Sequence, residues 1–584
     1  MKPDLYTKPR WRTFMLGWAL ILLGSLLAHF IQTAGGITVQ EVHFRAADDS
    51  ERTLSAMLYR PPGASAESPV PGILAIHGYI NSREVQSGFA IEFARRGYVV
   101  LAMDQAGHGY SDPPAFASGY GGPAGLRYLR SLPFVDTDNI GLEGHSMGGW
   151  AVLAAAAAHP EDYRAMVLEG SSVGAGRSVA GTPTWPRNVA VVFSRFDEFA
   201  TTMWQVPRGS DVGSSANLQA LFGAATAVQE GVLHGDIAQG TARILHSPPV
   251  THPGDHLSRA AIGHALDWFA ATLAGGTPLP ADDQRWYYKE LGTLVALVGF
   301  VVLLCGTLDL LVSLPPFAAC LGHAPAVGAW PRRTARWWVT LLLAAAIPVA
   351  TYYPLMSWGG QLLGASRLLP QTITSQIAFW AVVNGLIVAA VSPLTGPGGR
   401  QRAEAGTRPL LPILLPVVGL SVATVAMGYV AVLLAQWLWL VDFRFWFVGI
   451  KALSATQWQI LPVYLLPFTL FFVLTLRALH GGLSVQGDTP QRAYLSNVAA
   501  LAGGFGLFLG MQYASLFLKG YLLTPDEPLN TIVMIQFVPL LTMVAVISTY
   551  AYRRTGSYLV GAFVNALFVS WYIVAGQATQ FAVS

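Results

Sequence analysis

Charged residues are scarce in this chain, and the scarcity is confined to one half. Only 11% of the 584 residues are charged, whereas a water-soluble globular protein carries about 25%. Of the 32 acidic residues, only six lie in residues 291–584, and the other 26 lie in residues 1–290. The composition therefore excludes a wholly soluble protein and predicts a soluble first half joined to a half that lies in lipid.

Cysteine is nearly absent, and no long basic run occurs. The two cysteines, Cys305 and Cys320, both lie in the low-charge half, which excludes a disulfide framework or a cysteine zinc site in the first half. The net charge of +3 is not concentrated in one stretch, so nucleic acid is not an expected partner. The histidines show no reliable metal-ligand spacing, and we expect neither a metal nor a cofactor.

A long apolar run near the N-terminus follows a basic flank. The run Phe14–Ile31 comes after Lys2, Lys8, Arg10 and Arg12. A signal-peptide core is usually only about 7–15 residues long, so the run favours an uncleaved signal anchor, with cleavage just after it as the alternative. In either case the basic flank stays in the cytoplasm and the segment that follows is exported.

Apolar stretches of membrane-spanning length resume near residue 291. A transmembrane helix needs about 20 apolar residues, and eight stretches approach that length: 291–314, 337–356, 372–393, 411–436, 459–476, 494–516, 529–550 and 557–577. With the N-terminal run, the chain has about nine spans. We divide it into an anchor (1–36), a central domain (37–280) and a transmembrane domain of about eight helices (281–584).

Basic residues in the loops predict how the spans are oriented across the membrane. With the central domain outside, ten basic residues fall in inside loops: Arg332, Arg333, Arg336, Arg400, Arg402, Arg408, Arg477, Arg492, Arg553 and Arg554. Four fall outside: Arg367, Arg444, Lys451 and Lys519. This asymmetry agrees with the positive-inside rule. We expect an integral protein of a bacterial plasma membrane, with the lipid bilayer as a partner, a cytoplasmic N-terminus and an extracytoplasmic central domain.

Strand and helix signals alternate through the central domain. Short apolar runs bounded by turn residues predict eight strands: Val39–Phe44, Thr53–Arg60, Gly72–Ile76, Tyr98–Met103, Ile140–Glu143, Ala165–Leu168, Val189–Phe193 and Thr241–Leu245. Helical stretches such as Gly148–Ala158 separate most of them. This pattern predicts a mostly parallel sheet with helices on both faces, whose functional residues lie at the carboxyl ends of the strands.

The strongest chemical motif is Gly144-His145-Ser146-Met147-Gly148, between a predicted strand and a predicted helix. Small residues allow the chain to turn sharply there and expose the serine hydroxyl, so we predict Ser146 as a nucleophile, with a structural turn as the alternative. A nucleophilic serine needs backbone N–H groups that stabilise an oxyanion. We expect them from Met147, at the helix start, and from Tyr79, after an earlier strand.

Together with two other segments, this motif resembles the α/β-hydrolase family over roughly residues 38–275. The other segments are His77-Gly78 and Asp104-Gln105-Ala106-Gly107-His108-Gly109-Tyr110-Ser111-Asp112. The resemblance implies a serine esterase or lipase, and a 104–112 loop that shapes the site without doing chemistry. It also implies the chain order serine, acid, histidine. His77 lacks the triple glycine of one lipase branch, and we expect it to be structural.

That order selects the acid and the base. The acid is expected to follow a late strand, where Asp197 is our choice, Glu198 the neighbour, and a helix-capping acidic pair the alternative. For the base we prefer His256, because it resembles the Asp-His-x-Ser ending of the family. His252 is the alternate base, since it lies at a more usual distance before the end of the last helix.

Extra chain lies between the acid and the base, from about 199 to 240. We interpret it as a lid or membrane-facing cover, with a disordered surface loop as the alternative. The predicted function is a membrane-anchored extracytoplasmic serine hydrolase that cleaves an ester or thioester of an apolar, lipophilic acyl substrate. Peptidase and amidase chemistry use the same triad. The alternatives are an acyltransferase with that triad, or a transporter or sensor with a hydrolase-like binding domain.

Overall fold

The computed structural model describes residues 11–46, 51–176, 178–321, 330–395 and 410–581. Six of the basic residues used above to orient the spans lie outside these ranges: Lys2, Lys8, Arg10, Arg400, Arg402 and Arg408.

The central domain contains one eight-stranded sheet. Its strands are β1 (Thr38–Arg45), β2 (Thr53–Arg60), β3 (Val70–Ile76), β4 (Val99–Met103), β5 (Val135–His145), β6 (Ala165–Glu169), β7 (Val189–Val192) and β8 (Arg243–His246). The spatial order is β1-β2-β4-β3-β5-β6-β7-β8. β2 is antiparallel to β1 and β4, and all later pairs are parallel. The predicted mostly parallel sheet is therefore confirmed.

Helices cover both faces of this sheet. Helix α1 (Trp11–Gln32) precedes it, and the domain then contains α2 (Ser87–Arg95), α3 (Gly122–Ser131), α4 (Met147–Ala158), α5 (Ala200–Trp204), α6 (Ala216–Phe222) and α7 (Arg259–Thr272). Alternate residues of a strand point to opposite faces. Accordingly, Leu74 and Ile76 of β3 pack in one core with α3 and α4, while Ile73 and Ala75 pack in a second core with α2 and α7.

The extra chain between the acid and the base is part of the folded domain. It contains α5 and α6, and Trp204, Leu218 and Leu221 are fully buried against the first of these cores. Burial of large apolar side chains is the main stabilising contribution to folding, so the segment is not a disordered surface loop.

The second half is a helical bundle. It contains α8 (Trp286–Val312), α9 (Ala335–Ala350), α10 (Tyr352–Leu362), α11 (Thr372–Thr395), α12 (Leu410–Trp439), the hairpin β9 (Phe443–Phe445) and β10 (Val448–Ile450), α13 (Ala455–Leu483), α14 (Pro490–Val498), α15 (Gly504–Lys519), α16 (Pro528–Thr555) and α17 (Tyr558–Gly576). By length and composition, eight helical segments of the described residues could cross a membrane, with α1 among them and α14 and α15 counted as one. The number is nine if α9 and α10 form one bent span.

The bent span has a local cause. Helices α9 and α10 meet at Thr351 with a bend of 43°. Pro354 lies at the start of α10 and has no N–H to donate to the carbonyl of Ala350, with which its ring also clashes in a straight helix. Proline therefore breaks a stretch that the sequence pattern treats as one continuous span.

The N-terminal helix is an integral part of the bundle. It runs along α8, and glycines permit the close approach: a Cβ at Gly24 would lie 2.4 Å from the carbonyl oxygen of Gly292, and one at Gly17 would lie 2.6 Å from the backbone of Leu303. Small residues let helices pack backbone to backbone in lipid. Helix α1 therefore packs into the bundle as well as preceding the sheet domain.

The sheet domain docks on one end of the bundle. Lys451, just after β10, forms an ion pair of 3.0 Å with Glu84 of the sheet domain. The chain after α17 also docks there, because the backbone N–H of Ala115 donates to the carbonyl oxygen of Thr579 at 2.8 Å. Helix α13 begins at this end, and at 1.5 Å per residue its last turn lies about 40 Å away.

Candidate active site

Ser146 lies at a strained turn between β5 and α4. Its backbone dihedrals are φ 55° and ψ −123°, a region that costs a non-glycine residue energy and is found at functional sites. Close packing explains the glycines on either side: a Cβ at Gly144 would lie 2.3 Å from the carbonyl oxygen of Gly148, and one at Gly148 would lie 2.0 Å from that of Ile76. The motif thus forms the strand–turn–helix geometry that presents a serine hydroxyl.

Asp197 and His252 come together beyond the ends of β7 and β8. The Asp197 Oδ2 atom lies 2.8 Å from the Nδ1 atom of His252, and both side chains are buried. The other oxygen of Asp197 accepts a hydrogen bond of 2.7 Å from the backbone N–H of Phe199. A carboxylate held in this way fixes the tautomer and orientation of the imidazole, which leaves Nε2 to exchange a proton.

Burial sets the protonation of this pair. It lowers the pKa of His252 to about 4, so the imidazole is neutral near pH 7 and able to accept a proton. Burial, and secondarily the charge of Asp255, raises the pKa of Asp197 above its usual value. An apolar environment disfavours the carboxylate form of Asp197 and the imidazolium form of His252. The hydrogen bond between Asp197 Oδ2 and His252 Nδ1 holds one proton between the two side chains.

His256 occupies a different position from the one that we predict for the base. Its ring packs 4.1 Å from the ring of His145 and 6.1 Å from that of Phe89. Within the described part of the chain, neither of its ring nitrogens has a hydrogen-bond partner. The preference for His256 is therefore corrected, because His252 contacts the carboxylate and His256 does not.

A cavity of about 160 Å³ joins these groups. It is lined by Ser146 and His252, by the predicted oxyanion residues Tyr79 and Met147, and by His256. Met147 is the first residue of α4, so its N–H has no carbonyl partner within the helix and is available to an oxyanion. Thr202 and Met203, from the extra segment between Asp197 and His252, also line the cavity, so that segment covers part of the site.

The bundle supplies the remaining wall of this cavity. Phe447 comes from the β9–β10 hairpin, and Leu529, Ile532 and Gln536 come from α16. Nothing in the local sequence of these residues marks them as part of a site. The site is therefore shared between the two halves of the chain.

Two hydrogen bonds tie the loop that carries His252 to the bundle. The hydroxyl of Tyr513 on α15 donates to Glu198 Oε1 at 2.7 Å, and the other oxygen of Glu198 accepts the backbone N–H of His252 at 2.8 Å. The indole N–H of Trp446 donates to the carbonyl oxygen of Pro253 at 2.5 Å. Burial, and next the charge of Asp197, raises the pKa of Glu198 to about 8.

The 104–112 loop is structural, as the resemblance implies. The carboxylate of Asp104 accepts the backbone N–H groups of Arg83 at 2.8 Å and Tyr110 at 3.0 Å. His77 Nε2 accepts the backbone N–H of Gln105 at 3.1 Å, and burial lowers the pKa of His77 to about 4. These contacts hold the loop beneath the site.

A buried ionic cluster fastens this region to the bundle. Glu84 binds Lys451 at 3.0 Å and lies 3.6 Å from Arg444, which also pairs with Asp442 at 2.5 Å. Burial alone would raise the pKa of Glu84, but Lys451, Arg83 and Arg444 together hold it well below its usual value. Lys451 and Arg444, two of the four basic residues expected outside, are therefore neutralised by acids.

Residues 71–217 match the family model of the alpha/beta hydrolase fold. The central domain is an alpha/beta hydrolase domain. No curated protein matches the chain significantly. Among solved structures, a hypothetical protein of Pseudomonas aeruginosa is 28% identical, with 24% of this chain and 45% of that chain covered and a TM-score of 0.22. The carboxyl esterase of Bacillus coagulans is 21% identical, with 23% and 45% covered and a TM-score of 0.20.

A third similar structure is a putative dipeptidyl aminopeptidase IV of Bacteroides ovatus. It is 17% identical, with 41% of this chain and 36% of that chain covered and a TM-score of 0.31. The chain thus spans less than half the length of each of these relatives, and the hydrolase domain accounts for less than half of this chain.

Proposed function

We propose that this protein is a membrane-anchored serine hydrolase that cleaves ester or thioester bonds of an apolar acyl substrate. The observation that carries the proposal is the 2.8 Å contact between Asp197 and His252, in a cavity that Ser146 also lines. The order serine, acid, histidine along the chain is that of the alpha/beta hydrolases.

The proposed mechanism uses these side chains in turn. Ser146 Oγ attacks the acyl carbonyl while His252 Nε2 takes its proton, and Asp197 stabilises the imidazolium that forms. The N–H groups of Tyr79 and Met147 stabilise the oxyanion. His252 then protonates the leaving group, and water that it activates releases the acyl group from Ser146.

An apolar acyl substrate is supported by the walls of the cavity. The bundle contributes the apolar side chains of Phe447, Leu529 and Ile532 to the cavity, and such walls bind hydrocarbon rather than charged groups. An extracytoplasmic location of the hydrolase domain is supported by the loop charges. Arg333 and Arg477 lie at the bundle end far from the domain, where the positive-inside rule expects the cytoplasm.

A fluorophosphonate probe tests the proposal in the full-length protein. Such a probe reacts only with an activated serine, so we expect it to label the wild type and to leave Ser146→Ala unlabelled. Turnover of p-nitrophenyl butyrate is expected to disappear in the same variant. Ser172→Ala is the matched control, since that serine is buried in the same domain but does not line the cavity. Equal labelling of wild type and Ser146→Ala would refute the proposal.

A further inference from the structure

The cavity at Ser146 is too small for a long acyl chain. Its volume is about 160 Å³, close to the engineered protein cavity of about 150 Å³ that holds one benzene molecule. Sites for larger ligands usually measure about 300–1,000 Å³. On its own, this cavity admits a short acyl group.

Two further cavities continue it through the bundle. A middle cavity of about 50 Å³ shares Ile80, Phe447 and Gln536 with the cavity at Ser146. A far cavity of about 580 Å³ shares three side chains with the middle one, namely Trp380, Phe471 and Leu541. Since each neighbouring pair has common walls, the three lie in a row that begins at the candidate nucleophile.

The row runs along the axis of the bundle. The shared side chain Phe471 lies near the middle of α13, and Gly481, which lines the far cavity, lies in its last turn. At 1.5 Å per residue these two positions are about 15 Å apart. The far cavity therefore extends from the middle of the bundle to the end opposite the hydrolase domain.

The walls of the row fit hydrocarbon. Among the described lining residues, no Asp, Glu, Lys or Arg borders the cavity at Ser146 or the middle cavity, although Gln536 borders both. The far cavity is bordered by Asn384, by several hydroxyl side chains and, near its outer end, by Arg477. Trp380 narrows the passage, with ring centroids 5.2 Å from Phe537 and 5.6 Å from Phe471. Of the six side chains shared between neighbouring cavities, five are apolar and only Gln536 is polar, so the passage from one cavity to the next suits a hydrocarbon chain.

We propose that the three cavities form one acyl-binding tunnel, which holds the hydrocarbon chain of a lipid ester while its carbonyl lies at Ser146. This inference rests on the proposed function and adds a role for the bundle. The bundle measures acyl-chain length, and the constriction at Trp380 separates short chains, which stay in the Ser146 cavity, from long ones, which pass into the far cavity.

Gly576 provides a way to plug the tunnel. It lines the middle cavity, and a Cβ added there would meet no atom within 4 Å. We expect Gly576→Phe to reduce turnover of p-nitrophenyl palmitate by about tenfold or more, because a chain of many methylenes loses its binding site. Turnover of the butyrate ester should stay within about twofold of the wild type, since that acyl group fits in the Ser146 cavity.

Gly510→Phe is the matched control. Gly510 is an exposed glycine on α15 with no atom within 4 Å of an added Cβ, and it lines none of the three cavities. It should leave the ratio of palmitate to butyrate turnover unchanged. An unchanged ratio in Gly576→Phe, or an equal loss of both activities with wild-type folding, would overturn the tunnel. Gly576→Leu gives a smaller plug if the phenylalanine variant does not fold.

A binding measurement separates this inference from the proposed function. Full-length Ser146→Ala, which has no nucleophile, is irradiated with a photoreactive palmitate, and labelled peptides are identified by mass spectrometry. Labelling of the α11 peptide that contains Trp380, competed by palmitate and not by butyrate, supports the tunnel even if the wild type cleaves no ester. Absence of such competed labelling overturns the tunnel even if Ser146 proves to be the nucleophile.

Discussion

Tyr513 of the bundle donates a hydrogen bond of 2.7 Å to Glu198, the residue that follows Asp197 in the hydrolase domain. Glu198 in turn accepts the backbone N–H of His252. The position of the loop that carries His252 therefore depends on a helix of the bundle, and the two halves of the chain act as one structural unit at the candidate site.

Removing this hydroxyl tests the dependence. We expect Tyr513→Phe to lower kcat for p-nitrophenyl butyrate about tenfold with little change in KM, because a misplaced base affects the transition state more than substrate binding. Tyr464→Phe is the control, since the Tyr464 hydroxyl is bonded to Gln371, away from His252. Equal kcat values for Tyr513→Phe and the wild type would show that Glu198 holds the loop without the bundle.

Replacing His252 or His256 by asparagine distinguishes the two candidate bases. We expect His252→Asn to lower kcat by about a thousandfold or more, because the serine loses its proton acceptor. His256→Asn should retain activity within about tenfold, since its ring lines the cavity but makes no contact with the Asp197 carboxylate. Steady-state kinetics of both variants, with melting temperatures to confirm folding, decide between them. A greater loss in His256→Asn would reinstate our first choice.

On the acid side, activity should be lost at a pH below the usual pKa range of histidine. Only neutral His252 accepts a proton, and burial lowers its pKa from 6.5 to about 4. Activity should therefore persist as the pH falls below 6.5 and disappear as the pH falls through about 4. The profile of kcat/KM against pH measures this loss, with aliquots returned to pH 7 to exclude unfolding. If activity instead falls with a midpoint between pH 6 and 7, His252 is more exposed to solvent in the active protein than in this structure.

Orientation in the membrane can be read from cysteine accessibility. Glu67 is an exposed residue of the hydrolase domain, Gln491 is exposed at the far end of the bundle, and the native cysteines are buried. We expect a membrane-impermeant maleimide to label Glu67→Cys in intact cells and to label Gln491→Cys only after the cells are opened. The reverse pattern would place the hydrolase domain in the cytoplasm.

Much of the hydrolase fold and part of the site could be predicted from short stretches of sequence. The eight strands and the turn at Ser146 are set by local patterns, since apolar runs, turn residues and crowded glycines act over a few positions. Asp197 was predictable for the same reason, because it lies in the short loop just after β7. The histidine that contacts Asp197 was not predictable, because His252 and His256 lie in one loop and only the folded loop decides which ring meets the carboxylate.

The sequence alone determined two halves of different composition, a set of helices long and apolar enough to cross a membrane, and a serine at a strand–helix turn, because these depend on hydrophobicity and on neighbouring residues. The tertiary structure decided what joins the halves. Tyr513 and Glu198 are 315 positions apart, and the row of cavities is built from helices that are distant in sequence. Contacts of this kind arise from packing, which no local pattern records. They make the bundle part of the candidate site.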